Sequence, residues 1–142
     1  MQLHQDQIFD DNVAITVTRD GTNKLMIAGA SGVGTFNNNE LDGNDLNVNV
    51  DITQVFAGGT SLQVSIFGSA DDATYDTVPL IQSGVIPLAR LTLGNRIQIP
   101  LPSKIPTGFT IPKYIKVTYT VVGTMTTGKV VSYLMATRAM TV

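Results

Sequence analysis

Apolar and polar residues alternate strictly along residues 46–52. The apolar positions are Leu46, Val48, Val50 and Ile52, and the polar positions between them are Asn47, Asn49 and Asp51. In a β-strand, successive side chains point to opposite faces, so a period of two gathers the apolar side chains on one face. The segment therefore predicts a strand of an antiparallel sheet that has one buried face and one face in water.

The same period of two recurs along the chain. Further strands are predicted in residues 13–18, 24–28, 61–67, 96–101, 113–121 and 129–136. Two further apolar segments are associated with prolines: Pro79 lies within 78–86, and Pro87 directly precedes 88–93. We expect short edge strands there, because proline cannot donate to a central ladder. No window shows the i, i+3, i+4, i+7 spacing of an amphipathic helix. About eight strands predict an all-β protein, a jelly-roll-like antiparallel β-sandwich.

Glycine-rich segments separate several of these predicted strands. Gly58 and Gly59 lie between 46–52 and 61–67 and predict a β-hairpin, and the segment from Gly123 to Gly128 predicts a turn before the last strand. Residues 29–45 contain four glycines and six Asn or Asp residues, and predict a long loop. Residues 1–11 are mostly polar and are predicted to form an extended N-terminal arm, followed by a single domain in residues 12–142.

Composition excludes several classes of partner and chemistry. Only 14% of the residues are charged, and a surface poor in charge is less protected against association, which makes stable protein partners plausible. The net charge is −2 and no basic cluster is present, so we expect no nucleic-acid partner. Residues 1–11 have neither the basic region nor the apolar region of a signal peptide, and we expect that they are not one. There are no cysteines, which removes disulfides and thiolate chemistry. No apolar run is long enough to cross a membrane.

Few residues have the spacing of a catalytic or metal site. His4 is the single histidine, and the Ala30–Gly34 segment lacks the third glycine of a dinucleotide-binding loop. The acidic clusters 42–45 and 71–76 lack EF-hand spacing, and we expect them to cap turns, although a loop calcium ion remains an alternative. A hydrolase using Asp71 and Asp72 also remains an alternative. The absence of tryptophan argues against a sugar-binding cleft. We therefore expect no enzyme activity, no cofactor and no metal.

Four segments, in the same order along the chain, resemble a known family. They are residues 56–72 (FAGGTSLQVSIFGSADD), 80–89, 94–102 (GNRIQIPLP) and 114–128, continuing into the last strand. Together they are similar to the capsid cement proteins of tailed phages, the family typified by the cement protein of a Bordetella phage. The likeness covers about the C-terminal two thirds of the chain, is weaker over residues 9–16, and departs from the family pattern at the asparagine-rich segment 34–45.

This resemblance implies a jelly-roll protein on the outer surface of a phage head, made in the bacterial cytoplasm. Members of the family lie over junctions between major capsid protein subunits and hold the shell against the pressure of the packaged DNA. The partners it implies are the major capsid protein and further copies of the chain, with a homotrimer favoured and a dimer as the alternative. A carbohydrate- or receptor-binding β-sandwich of a tail or fibre is the other function that the sequence leaves open.

Two sets of residues are predicted to contact partners. In the arm, Leu3, Ile8 and Phe9 are apolar anchors for the shell or a neighbouring copy, and the alternative is a merely frayed terminus. On the water-facing side of 46–52, the polar residues Asn47, Asn49 and Asp51 form a surface for a sister subunit. If the arm acts as an anchor, deleting residues 1–11 leaves a folded protein that no longer decorates heads.

Overall fold

The computed structural model of the protein describes residues 8–26, 46–101 and 113–136. Within these ranges, seven strands form one antiparallel sheet. They are β1 (Ile8–Ala14), β2 (Arg19–Asp20), β3 (Leu25–Met26), β4 (Leu46–Ser69), β5 (Ile81–Pro87), β6 (Arg96–Pro100) and β7 (Tyr114–Ala136). A short 3-10 helix, Leu88–Arg90, follows β5. The prediction of an all-β, antiparallel fold is confirmed.

The two longest strands, β4 and β7, form the centre of the sheet. They pair with each other from Leu46 opposite Ala136 to Ser69 opposite Tyr114, with register shifts near the middle of β4. The hydroxyls of Tyr119 and Ser132, both on β7, lie 2.5 Å apart. Thirteen residues of straight strand would span about 43 Å. Strand β7 therefore bends back on itself, and the sheet folds into the two facing layers of a jelly-roll-like sandwich.

Each layer contains one half of β4 and one half of β7. In the first layer, residues 46–52 and 129–136 are flanked by β6 and β1. In the second layer, residues 61–69 and 114–122 are flanked by β5 on one side and by β2 and β3 on the other. The outer strands of the sandwich thus belong to one layer only, whereas the two central strands connect both layers.

The predicted hairpin at Gly58 and Gly59 is wrong, and so is the predicted turn between Gly123 and Gly128. Both segments are bends within continuous strands, because each half of β4 pairs with β7 rather than with the other half of β4. Gly58 and Gly123 have φ angles of +88° and +85°, a conformation that glycine adopts without strain. A glycine with a positive φ is equally typical of a tight turn and of a bend, so its presence did not distinguish the two.

The core lies between the two layers and follows the alternation of the sequence. The inward-facing residues of the central strands are almost fully buried: Val48, Val50, Ile52, Leu62, Val64, Ile66, Ile115 and Val117. Each buried aliphatic side chain of this size contributes about 1.5–3 kcal/mol of transfer free energy. The inward orientation predicted for alternate residues is confirmed at Val48, Val50, Ile52, Leu62, Val64 and Ile66.

The predicted arm overlaps the first strand. Residues 8–11 belong to β1, which pairs with β7 through Ile8 opposite Tyr133 and Asp10 opposite Ser132. Phe9 and Asp10 are both fully buried. The expected boundary between residues 11 and 12 therefore falls inside a core strand, and residues 1–7 lie outside the described residues. Deletion of residues 1–11 is now expected to disrupt the sandwich rather than to remove a detachable arm.

Candidate functional site

The outer face of the first layer carries a polar network centred on Asp51. Its carboxylate accepts hydrogen bonds from Arg96 Nε at 2.6 Å and Nη2 at 3.3 Å, and from the Tyr133 hydroxyl at 3.0 Å. The network joins three strands, because Arg96 lies opposite Asp51 on β6 and Tyr133 lies opposite Asn49 on β7. Partial burial, followed by the hydrogen bond to Asp51, raises the pKa of the Tyr133 hydroxyl.

The three predicted contact residues on this face differ in exposure. Asn47 and Asn49 are only 5% and 1% exposed, so the prediction that they face water is wrong. The alternation of a strand predicts the face on which a side chain lies. It does not predict how much of that side chain is covered by longer side chains on the two adjacent strands. Asp51 is half-buried and remains accessible at the surface. Of the predicted sister-subunit surface, Asp51 is the residue that a partner can reach.

Arg96 and Tyr133 were missed by the sequence analysis. The aspartate and its arginine are separated by 45 residues, and only the register of β6 against β4 brings them together. An exposed ion pair of this kind typically contributes 0.2–1 kcal/mol, although its two-pronged geometry fixes the orientation of both side chains. The network is best understood as a structural feature that orders the outer face.

The predicted arm residues do not form a free anchor. Leu3 lies outside the described residues, Ile8 is half-buried beside β7, and Phe9 is fully buried in the core. A register shift between Ile8 and Asp10 is a β-bulge, which places the two consecutive side chains of Phe9 and Asp10 in the interior. Phe9 is therefore a core residue of β1 rather than the exposed anchor expected from an extended arm over residues 1–11.

Asp10 is the centre of a buried polar cluster that the sequence did not indicate. Its Oδ1 accepts from the Thr22 backbone N–H at 2.9 Å and from the Thr22 hydroxyl at 2.6 Å, and its Oδ2 accepts from Tyr119 at 2.8 Å. Arg19 Nη2 lies 3.7 Å from Oδ1. Ser132 completes the cluster by its contact with Tyr119. Burial, then the charge of Asp10, raises the pKa of Tyr119 well above its usual value.

The acidic segment 71–76 is a capped turn, as predicted. Asp71 Oδ1 accepts from the backbone N–H groups of Ala73 and Thr74 at 2.9 and 3.0 Å. Tyr75 donates to Asp72, and the ammonium groups of Lys24 and Lys116 lie 5.1 and 4.8 Å from the Tyr75 ring. These contacts hold the loop against the second layer. The carboxylates of Asp71 and Asp72 are used in hydrogen bonds within the turn.

Asp71 should titrate below the ordinary aspartate range. Hydrogen bonds from the backbone of Thr74, then of Ala73, lower its pKa. Because the folded pKa is lowered, the carboxylate stabilises the loop fully above the unfolded value of about 3.9, and this contribution is lost as the pH falls through the lowered pKa. The carboxyl ¹³C shift of Asp71, titrated in the native protein and in urea, measures the difference. Equal pKa values in the two states would refute this assignment.

The outer face of the second layer has an end that carries no charge. Near the bend, Ser61 lies between Val122 and Pro87, and Gln63 lies between Thr120 and Val85. We call these six residues the uncharged face. Val85 is 66% exposed and Val122 is 52% exposed. Large apolar side chains grouped at the surface frequently mark sites of protein association, so this face is the best candidate docking surface in the described chain.

Farther from the bend, the same outer face becomes charged. Lys116 Nζ lies 3.2 Å from Asp20 Oδ2, and the Thr118 hydroxyl donates to Asp20 Oδ1 at 2.7 Å. Burial acts to raise the pKa of Asp20, but the hydrogen bonds from Thr118 and Lys116 outweigh it, and the pKa is lowered. The uncharged face is therefore bounded on one side by a polar, ion-paired region.

A protein-family model, Bbp16, matches residues 9–134 of the chain. The chain belongs to the Bbp16 family. This is the Bordetella phage family that the sequence resembles, and membership makes the protein a structural component of a phage, associated with the virion. A search of the curated proteins found no match.

The Bbp16 match extends beyond the segments that carry the resemblance. It begins at Phe9, the second residue of β1, and ends at Leu134, two residues before the end of β7. It therefore covers nearly the whole described sheet. It therefore includes the N-terminal strand and the buried cluster around Asp10. The Bbp16 family match and the two-layered sandwich describe the same part of the chain.

Other sequence-predicted candidates are placed as follows. His4 and the segments 30–34 and 42–45 lie outside the described residues. Among residues 8–26, 46–101 and 113–136, no three metal-ligating side chains come together. The described part of this Bbp16 chain also has no helix with the length and apolar character required to cross a bilayer.

Proposed function

We propose that this Bbp16-family protein is a capsid cement protein. It binds the outer surface of a tailed-phage head, across junctions between major capsid protein subunits, and stabilises the shell against the pressure of the packaged DNA. The observation that carries the proposal is the family match over residues 9–134. It is supported by the resemblance of segments 56–72 and 114–128, which form most of the central strands β4 and β7.

The architecture suits a role that depends on binding alone. Two strands run through both layers, so a force on one layer is transmitted to the other through the covalent backbone of β4 and β7. Several copies gathered at one junction gain avidity beyond the affinity of each contact. A homotrimer fits a threefold junction and a dimer fits a twofold position, and sedimentation of the purified protein distinguishes them. No catalytic activity, cofactor or metal is part of this role.

Co-sedimentation with purified phage heads tests the proposal. We expect the protein to pellet with heads up to a saturating ratio, and decorated heads to retain their DNA at temperatures at which undecorated heads release it. Isolated tails from the same phage are the matched control and should not bind. Binding to tails or to host glycans without binding to heads would contradict the proposal and favour the carbohydrate- or receptor-binding alternative.

A further inference from the structure

Strand β5 forms an unusual edge of the sheet. It lies at the end of the strand order β1-β7-β4-β5, and no described strand pairs with its other side. Its seven residues, Ile81–Pro87, contain no charged side chain. Proteins generally protect exposed edges with charges, prolines or bulges, because an unpaired row of N–H and C=O groups accepts another strand. Strand β5 ends in Pro87 and has a bulge at Gly84, but it carries no charge. The other outer strands of four or more residues follow that rule, with the exposed Asp11 in β1 and Arg96 in β6.

The side chains beside this edge are also suited to burial. Val85 points outward from β5 and is 66% exposed, and Val122, on β7 beyond the intervening β4, is 52% exposed. On β4, between these two strands, Ser61 is only 6% exposed. The two valines and Pro87 therefore project farther from the sheet surface than the small side chain of Ser61. The edge backbone and the uncharged face therefore form one continuous surface, which offers hydrogen bonds along its rim and apolar contact beside it.

We propose that the β5 edge receives an extended, uncharged segment of the phage shell protein, which adds a strand to the second layer. This inference rests on the proposed cement function. An unpaired strand edge is satisfied by extended backbone, and a charged residue opposite this surface would be desolvated without a partner. The occupant is accordingly a strand-forming segment with small or apolar side chains, rather than a nucleic acid or an acidic peptide.

The shape of the edge favours a foreign segment over a second copy. Gly84 has a φ of +78°, and the β4–β5 register shifts between Gln63 and Ser65. At this bulge the Ser83 hydroxyl accepts from the Val64 backbone N–H at 3.0 Å. Two β5 edges related by twofold symmetry would each carry this interruption near the middle of the shared ladder. A segment of another protein can match the irregular edge without carrying the same bulge.

Binding of purified heads by point variants tests the inference. Val85→Lys places a charge on the edge, and we expect at least about tenfold weaker binding to heads, because the ammonium must be desolvated on docking. Val85→Thr, which keeps the shape and the strand propensity, should bind within about threefold of the parent protein. Leu93→Lys is the matched control: Leu93 is 69% exposed and lies outside the uncharged face, and its variant should bind normally.

Two further measurements use the unmodified protein. Amide hydrogen exchange within residues 81–86 should slow when the protein binds heads, because strand addition protects edge N–H groups. Binding should change little between low and high salt, since no charges meet at the contact. Protection in 81–86 together with loss of binding in Val85→Lys supports the inference.

The possible failures are distinguishable. If the unmodified protein does not bind heads, the cement function and this inference both fail. If the unmodified protein binds and Val85→Lys binds equally well, or if exchange in 81–86 is unchanged, the cement function stands and the edge inference is overturned. If Val85→Lys converts an oligomer to monomers, the occupant is a second copy, which also overturns the inference.

Discussion

Replacing Phe9 with alanine is expected to lower the free energy of unfolding by about 3–5 kcal/mol, the usual cost of removing a buried phenylalanine ring. Phe9 is fully buried between the layers, although it lies within residues 1–11, the segment predicted from composition to be an extended arm. The loss combines the transfer free energy of the ring with the cavity that it leaves. Urea unfolding followed by circular dichroism measures the change.

The matched control for Phe9 is Leu93→Ala. Leu93 is 69% exposed, and its truncation should change stability by no more than about 0.5 kcal/mol. If Phe9→Ala were equally harmless, β1 would not be an integral part of the sandwich and residues 1–11 would behave as an arm. The predicted outcome instead makes the N-terminal strand as necessary to the fold as the central pair.

Replacing Asp10 with asparagine is expected to cost about 2–4 kcal/mol, between the loss of one buried hydrogen bond and the rupture of a buried charged pair. The asparagine keeps the shape but removes the charge facing Arg19, and its amide replaces an acceptor with a donor. If the amide NH2 faces the Tyr119 hydroxyl, that hydroxyl must donate to Ser132 instead, and if it faces Thr22, the Thr22 donors lose their acceptor. Thermal and urea unfolding measure the loss.

The neighbouring residue supplies the control for Asp10. Asp11→Asn makes the same chemical change on an exposed side chain, and should alter stability by less than about 0.5 kcal/mol. A double-mutant cycle of Asp10→Asn with Tyr119→Phe should show a coupling of about 0.5–3 kcal/mol, as residues in one hydrogen-bonded network do. Additive effects would show that Tyr119 and Asp10 do not act together across the two layers.

The alternation of the sequence was sufficient to predict the class of fold and the buried faces of 46–52 and 61–67. The predicted strand 13–18 was wrong, because β1 ends at Ala14 and Val17 is 63% exposed. Val48, Val50 and Ile52 face the core as expected, since the period of two is a property of the extended backbone. The bulge at Phe9 and Asp10 broke that period. A buried aspartate within a polar N-terminal segment has no local signal, because its partners come from residues up to 109 positions away.

The pairing of strands was the part of the fold that sequence reasoning missed. Glycines such as Gly58 and Gly123 are typical of the turns of local hairpins, which have a low cost in loop entropy. The structure instead pairs β4 with β7 at a distance along the chain, and the apolar faces of both halves are buried between the two layers. For the same reason Arg96 could not be assigned to Asp51 before the register of β6 was known.

Cryo-electron microscopy of phage heads with and without the bound protein tests the central claim most directly. The cement function predicts additional density on the outer surface of the shell, centred on junctions between major capsid protein subunits and fitted by the two-layered sandwich. Absence of that density at saturating protein, or density confined to the tail, would contradict the account.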